Sequence, residues 1–361
     1  METKIKKLIA DTKEKCISYD TYIEHVLYDE LDGYYQRMTK KIGKQGDFYT
    51  SSMVHPVFAE TIADYVLDFC MTHGLPLKFC EVGGGTGDFA AQITSYLDNK
   101  AISWEYFFIE KSDVHTSEAK NKISDDRFHT YESLELFYNE NGPFSGVVFS
   151  NEWLDAQPVK VIKKLNGDIM EVKVGMNEKD QLTEMTVRAD AELMGKVEDY
   201  RLTLKEGYRM EIPVYMEESV RLLDKVLQKG MVITIDYGYE EEEWNHPARM
   251  EGSLRGYLNH ELKESVLDHP GEMDITHHVH WGIWNKITSA KGFQTILHEK
   301  QNAFLLQAGM MTHLIPHESR NPFSEESKRN RAIQTFLLGD GISNFFDVCV
   351  QVKGLKVEKD Q

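Results

Sequence analysis

The feature that most constrains this chain is the stretch from Lys78 to Asp88, KFCEVGGGTGD. A short apolar run meets the alternating glycines Gly83, Gly85 and Gly87, with Gly84 between the first two. Glycine permits a tight turn and a close ligand approach, and a helix starting there offers free amides. DFAAQITSYLDN, directly after, has helical spacing. WEYFFIE then reads as a strand ending in Glu110, and SDVHTSEAKNKI as a helix capped by Ser112 or Asp113. GVVFSNE and MVITIDYGY read as further apolar strands. Strands alternating with helices predict an α/β fold with a mostly parallel, doubly wound, Rossmann-like sheet.

The expected organisation follows from where that pattern is interrupted. Residues 1–75 read as an N-terminal helical segment packing on the core, with helices ending at Gly33 and Gly74. Residues 76–156 and 213–361 form the core. Residues 157–212 read as an inserted subdomain. In it, PVKVIKKLNGDIMEVKV predicts a hairpin turning at Asn166-Gly167, and the chain from there to YRMEIP reads as irregular. Near the C-terminus, FQTILHEK and FFDVCVQVKG predict a closing antiparallel hairpin at one sheet edge.

Two ligand classes compete for the glycine turn, dinucleotides and S-adenosylmethionine. The spacing is E-x-G-x-G-x-G rather than G-x-G-x-x-G, with Glu81 on the strand before the turn. Asp88 follows the last glycine, where a pyrophosphate would meet negative charge. A cofactor without phosphates tolerates that acid, and a sulfonium carrying an ammonium group favours acids nearby. Glu110 ends the second strand, where a carboxylate accepts hydrogen bonds from both ribose hydroxyls. These placements favour S-adenosylmethionine, leaving open a turn that serves only helix–strand packing.

The net charge of −18 argues against nonspecific binding to nucleic acid or anionic lipid and is compatible with a basic protein partner. Cys16, Cys70, Cys80 and Cys349 are scattered in apolar contexts, without a C-x-x-C pair, and read as buried thiols of a reducing compartment. The expectation is a cytoplasmic protein: no apolar run reaches membrane-spanning length, and METKIKKLIADTKEK lacks a secretory apolar core.

Seven stretches occurring in order narrow this further: LDGYYQ, GKQGDFYTSSMVHPVFAE, EVGGGTG, SNEWLDAQPV, ITIDYGY, GSLRGYLNHE and PGEMDITHHVHW. Together they resemble the MidA family of S-adenosylmethionine-dependent methyltransferases, across most of the chain. The resemblance implies a class I methyltransferase fold. It implies that Gly83, Gly85 and Gly87 line the cofactor and that Glu110 holds its ribose. It also implies that the GDFYTS loop closes over the cofactor, bringing Asp47, Phe48, Thr50 and Ser51 near it. The family's mitochondrial members methylate a protein arginine during assembly of respiratory complex I, so a protein substrate is implied.

NEWLDAQP follows the third apolar strand, at the sheet end that faces cofactor and acceptor in methyltransferases. Methyl transfer is an in-line displacement, so the enzyme chiefly positions two groups. A guanidinium is a poor nucleophile until carboxylates bind it and concentrate electron density on one nitrogen. Glu152 and Asp155 are the candidates, placed on one side if a helical turn separates them. Asn151 is a candidate for the cofactor's amino-acid part, and Asp236 and Tyr237 end another strand near the expected pocket. Arg255, Tyr257 and His260 fall in what reads as an exposed loop. The family pattern D-[IL]-T-x-x-V-D-[FW] is broken here, where DITHHVHW puts His280 in place of an acid. The spacing of His277, His278 and His280 argues against a metal site and leaves His278 as a pocket residue. The leading expectation is methyl transfer to a protein arginine. The alternatives are a small-molecule methyltransferase and a cofactor-binding assembly protein with little turnover. A homodimer is left open.

Overall fold

The computed structural model describes residues 1–37, 55–259, 261–316, 321–338 and 342–356. The chain begins with helix α1 (Glu2–Asp11), strand β1 (Cys16–Ser18) and helix α2 (Tyr19–Tyr28). Helix α3 (Val57–His73) follows and ends at Gly74, whose φ of +61° is the left-handed cap glycine adopts readily. Then come β2 (Lys78–Val82), α4 (Asp88–Asn99), β3 (Glu105–Ile109), α5 (Asp113–Lys122), β4 (Phe128–Tyr131), α6 (Leu134–Asn141) and β5 (Phe144–Asn151). Ser112 caps α5, its hydroxyl accepting the His115 amide at 3.2 Å.

The 157–212 interval carries β6 (Lys160–Leu165), β7 (Asp168–Met176), β8 (Leu182–Arg188), helix α7 (Ala191–Asp199) and β9 (Arg209–Ile212). The Asn166-Gly167 hairpin forms with both residues left-handed, at φ +53° and +84°. The stretch expected to be irregular is the β8 strand and the α7 helix. Its apolar residues are sparse because β8 is an edge strand paired only with β7 and largely exposed. Helix α8 (Met216–Val226) leads into β10 (Leu227–Asp236). Short strands follow: β11 (Gly238–Tyr239), β12 (Arg255–Leu258), β13 (Glu261–Lys263), β14 (Asp274–Thr276) and β15 (Val279–His280). Helix α9 (Trp281–Ala290), β16 (Gln294–Lys300), helices α10 (Gln301–Gln307) and α11 (Glu325–Leu337), and β17 (Asp347–Lys353) complete the chain.

The central sheet has the order β16-β17-β10-β5-β2-β3-β4. Strands β4, β3, β2, β5 and β10 pair in parallel, while β17 runs antiparallel to both β10 and β16. The α/β class holds, and the sheet is mixed. The antiparallel edge is not a hairpin, because α10 and α11 lie between β16 and β17. Alternate residues face opposite layers. Phe79, Val147, Phe149 and Ile233 join a core with α3 and α4, and Cys80, Phe107, Val148 and Val232 join another with α8 and α9. Helices therefore cover both faces.

A second sheet, antiparallel throughout, is assembled from distant segments. Strand β7 pairs with β6 along its first half and with β1 along its second, with β8 on its other edge. Residues of α1 and α2, of β6 and β7 and of the 254–275 region share a third apolar core. The chain order in the central sheet reverses between β2 and β5. The crevice beyond their C-terminal ends is the site at which open α/β sheets bind ligands.

Candidate active site

A cleft of about 520 Å³ opens at that crevice. The glycine turn, Glu81 and Glu110 line one side, and Asn151, Glu152 and Trp153 line another. Tyr28 and Tyr35 from the N-terminal segment and Tyr215 and Ser219 around α8 complete it.

The glycines do different jobs. A Cβ at Gly84 would sit 2.1 Å from the Phe108 ring, and one at Gly87 would sit 2.5 Å from the Ala119 Cβ. Those positions serve packing, and Gly87 lies outside the cleft lining. Gly83, at φ +70°, lies under Trp153, whose Cδ1 is 3.0 Å from where a Cβ would be. Gly85, at φ +55°, donates its amide to Glu110 Oε2 at 2.8 Å and lines the cleft. Glu110 Oε1 accepts the Ser112 amide at 2.8 Å. Both oxygens of Glu110 are thus oriented by backbone donors, and each keeps acceptor capacity.

Glu81 is buried, and its Oε2 accepts the Tyr106 hydroxyl at 2.8 Å. Burial pushes its carboxyl up to about 8, against the smaller opposing effect of the Tyr106 hydrogen bond. Asp88 accepts the Thr86 hydroxyl at 2.7 Å and pairs with Lys122 at 2.8 Å. The Asp88 charge is therefore largely compensated, which weakens it as an argument against a pyrophosphate.

Asn151 ends β5, the strand beside β2 and its glycine turn, and Glu152 follows it. Asn151 Nδ2 donates to Glu152 Oε1 at 2.9 Å, while Asn151 Oδ1 is buried with no partner among the described residues. Burial raises the Glu152 carboxyl well above the ordinary range, and the neighbouring Asp155 and Asp274 charges add to the effect. No helical turn links Glu152 to Asp155. Glu152 is left-handed at φ +53°, and the segment turns irregularly to Gln157. Glu152 lines the cleft, whereas Asp155 lies buried behind it. The Asp155 carboxyl is pushed up to about 7 by burial, with Tyr237 hydrogen-bonded to it and Asp274 repelling it. Asp236 is buried and Tyr237 partly buried, and neither lines the cleft.

Other sequence candidates take structural places. Arg255 is in β12, not an exposed loop, and its guanidinium donates to the Leu254 and Gly252 carbonyls. His277 is buried with its ring nitrogens facing the His278 and Gln157 carbonyls, and one of them donates. His278 stacks on Tyr239 with ring centroids 4.4 Å apart and does not line the cleft. His280 stacks on Trp244 at 5.1 Å, so the histidine that replaces the family's acid is a packed residue away from the cleft. Asp47, Phe48, Thr50, Ser51 and His260 lie outside the described residues.

Some cleft residues escaped sequence reading. Glu132, Ser133 and Leu134 follow β4, a four-residue strand too short to register. Its available signal was Ser133, which caps α6 by accepting the Leu136 amide. Tyr28 and Tyr35 lie on the Tyr19–Tyr28 helix and just beyond it, far from the core in sequence. Their hydroxyls donate to the Ala156 carbonyl at 2.9 Å and to Asp274 at 2.8 Å.

Comparison with known proteins accords with this geometry. A family described as "Putative S-adenosyl-L-methionine-dependent methyltransferase" matches residues 61–298, and the chain belongs to that family. Its cofactor is S-adenosylmethionine. The chain is 23% identical over 316 residues to protein arginine methyltransferase NDUFAF7 of Xenopus laevis, a mitochondrial protein, covering 75% of this chain and 66% of that protein. Against the human NDUFAF7 protein the identity is 23% over 335 residues, covering 82% and 71%. The fold matches a crystal structure of a superfamily member from Burkholderia thailandensis bound to S-adenosyl-homocysteine. The TM-score is 0.85 at 24% identity, over 99% of this chain and 95% of that one.

The cleft suits such a cofactor. The orphaned Asn151 Oδ1 is an acceptor for an ammonium donor. Glu110 is oriented for hydroxyls. Val82, Ile109 and Leu134 supply apolar walls. Among the described residues no helix is long and apolar enough to cross a membrane.

Proposed function

We propose that this protein transfers a methyl group from S-adenosylmethionine to a protein side chain, with arginine as the acceptor. One observation carries the reading. Glu152 faces the cleft beside the glycine turn, with no ion-pair partner among the described residues and with its proton affinity raised. An enclosed carboxyl of this kind is stabilised as an anion when a cation arrives, and a guanidinium offers two parallel donors to it.

The bound cofactor supplies an electrophilic methyl group. The chain's own residues supply position and proton handling. Glu110 and the Gly85 turn hold the ribose, and Asn151 takes the ammonium group. Glu152 fixes the acceptor guanidinium and localises its electrons. It then takes the proton released when the nitrogen is methylated, a role its raised proton affinity suits. Asp155 supports Glu152 electrostatically from behind. The arginine methyltransferase relatives, at about 23% identity, add weight to the choice of acceptor.

The test uses purified protein, methyl-labelled cofactor and a lysate from a strain lacking the gene. A labelled protein band that yields methylarginine on hydrolysis is the expected result. Label appearing only in small molecules overturns the protein acceptor. Independently, S-adenosyl-homocysteine raises the melting temperature and NAD does not; at 100 times the dissociation constant the stabilisation is about 2.7 kcal/mol.

A further inference from the structure

Glu152 at φ +53° is an outlier for a residue with a side chain. Held outliers of this kind cluster at functional sites, and among the described residues Glu152 is the one non-glycine residue of the cleft lining that has a positive φ. The hold comes from the end of β10. The Glu152 amide donates to the Ile235 carbonyl at 2.9 Å. The next residue, Asp236, has no solvent exposure. Its Oδ2 accepts the amides of Leu154 at 2.9 Å and Asp155 at 3.3 Å, and its Oδ1 accepts the Tyr237 amide at 2.9 Å. A buried acid commonly meets a cation; this one meets backbone.

The geometry points to Asp236 as a positioning residue, whose carboxylate ties the 152–155 turn to β10 and thereby keeps the Glu152 carboxyl facing the cleft. Amides at 154 and 155 converging on one side-chain oxygen is a pattern that neither helix nor strand supplies. Buried amides rarely go without acceptors. Without that oxygen the turn relaxes toward a conformation that satisfies them otherwise, and the left-handed residue at its start is the first to change. Glu152 then leaves its place relative to Asn151 and the glycine turn. The glycine turn and Glu110, at the ends of β2 and β3, are untouched. The inference rests on Glu152 as the acceptor-binding group.

Two variants separate hydrogen bonding from charge. Asp236→Asn keeps one oxygen for the Leu154 and Asp155 amides, removes the charge and gives up the acceptor for the Tyr237 amide. Asp236→Ala removes both. Methyl transfer to the deletion-strain lysate is expected to fall on the order of a hundredfold in the alanine variant, as misplacement of a positioned group does. In the asparagine variant it stays within about fivefold, and calorimetric affinity for S-adenosyl-homocysteine changes less than about threefold in both. Hydrogen exchange over residues 151–157 accelerates in the alanine variant alone. Wild-type transfer in the alanine variant overturns the inference. So does an asparagine variant as slow as alanine, since an oxygen on the 154 and 155 amides would then not suffice to place Glu152. If the alanine variant does not fold, the asparagine variant decides: near-normal transfer with protected 154 and 155 amides supports the inference, and a hundredfold loss overturns it. Glu152→Gln run alongside keeps the two readings apart. Full transfer in that variant removes the role given to Glu152, while the exchange data still report whether Asp236 holds the turn.

Discussion

The two halves of the cleft treat their acids in opposite ways. On the glycine-turn side Glu81, Glu110 and Asp88 each have a designated partner. Glu81 has the Tyr106 hydroxyl, Glu110 the amides of Gly85 and Ser112, and Asp88 the Lys122 ammonium. On the other side, Glu152, Asp155 and Asp236 crowd together, with no ion-pair partner for any of them among the described residues. Each has its carboxyl raised by burial and by the others or Asp274. Buried like charges are costly until something positive arrives or protons neutralise them. The first half is complete as built. The second is arranged around a charge the protein does not itself supply.

The largest effect breaks the first half. Gly85→Val places a β-branched residue at φ +55°, strained by about 1–3 kcal/mol, and moves the amide that orients Glu110. Cofactor affinity falls by at least about a hundredfold while the chain stays folded, since every 1.4 kcal/mol is tenfold. Calorimetry with S-adenosyl-homocysteine and a circular dichroism melt check both parts; unchanged affinity refutes the contact. The counterpart in the second half is Glu152→Gln. It keeps the size and the Asn151 neighbour but gives up the carboxylate, so methyl transfer drops about 10- to 100-fold with cofactor affinity nearly unchanged. A matching loss of cofactor affinity would place Glu152 in the first half instead.

The same contrast explains what the sequence disclosed. The glycine turn, Glu81 and Glu110 are legible because one strand–turn–helix and the next strand end hold them all. The alternating strands and helices around β2 to β5 are legible for the same reason: each element is local and strongly patterned. The Glu152 side of the cleft and the buried groups behind it draw Tyr28 and Tyr35, Glu152, Asp236 and Asp274 from four separated segments, and no short-range periodicity encodes their meeting. NEWLDAQP marks the region but misleads about its shape. Three-residue spacing suggested a shared helical face, whereas Glu152 at φ +53° sends it and Asp155 to different environments. His280, in the acid's place, stacks on Trp244 and is a packing residue.

Proton linkage yields an intermediate effect. The Glu81 carboxyl rises from an ordinary 4.5 to about 8 on folding, and that of Asp155 from 3.8 to about 7. A raised carboxyl binds its proton more tightly in the folded chain. Its stabilising contribution is therefore complete below the unfolded value and is lost as pH climbs through the folded one. The melting temperature of the cofactor-free protein falls by several degrees between about pH 5 and 8.5, a size in keeping with a few kcal/mol in a chain of this length. Glu81→Gln flattens that slope. A cationic ligand near Glu81 favours its charged form, so S-adenosylmethionine affinity rises over the same interval in wild type more than in Glu81→Gln. A pH-independent melting temperature would show that burial does not hold these protons.

The smallest effect sharpens the contrast where the two halves are most alike. Asp88 and Lys122 form a half-exposed pair, with side-chain exposures of 35% and 32%, so breaking it costs no more than about 1 kcal/mol. Lys122→Ala nonetheless turns a compensated acid into a free one beside the glycine turn. If partnered acids are what keep the first half neutral toward its ligand, the freed Asp88 charge acts on the charge of the cofactor. S-adenosylmethionine, with its sulfonium, then gains affinity relative to S-adenosyl-homocysteine by up to about threefold at low salt, and the gain disappears near 1 M salt, where charges are screened beyond about 3 Å. Equal shifts for both ligands would mean that Lys122 acts through the shape of the turn, by its hydrogen bond to the Thr86 carbonyl.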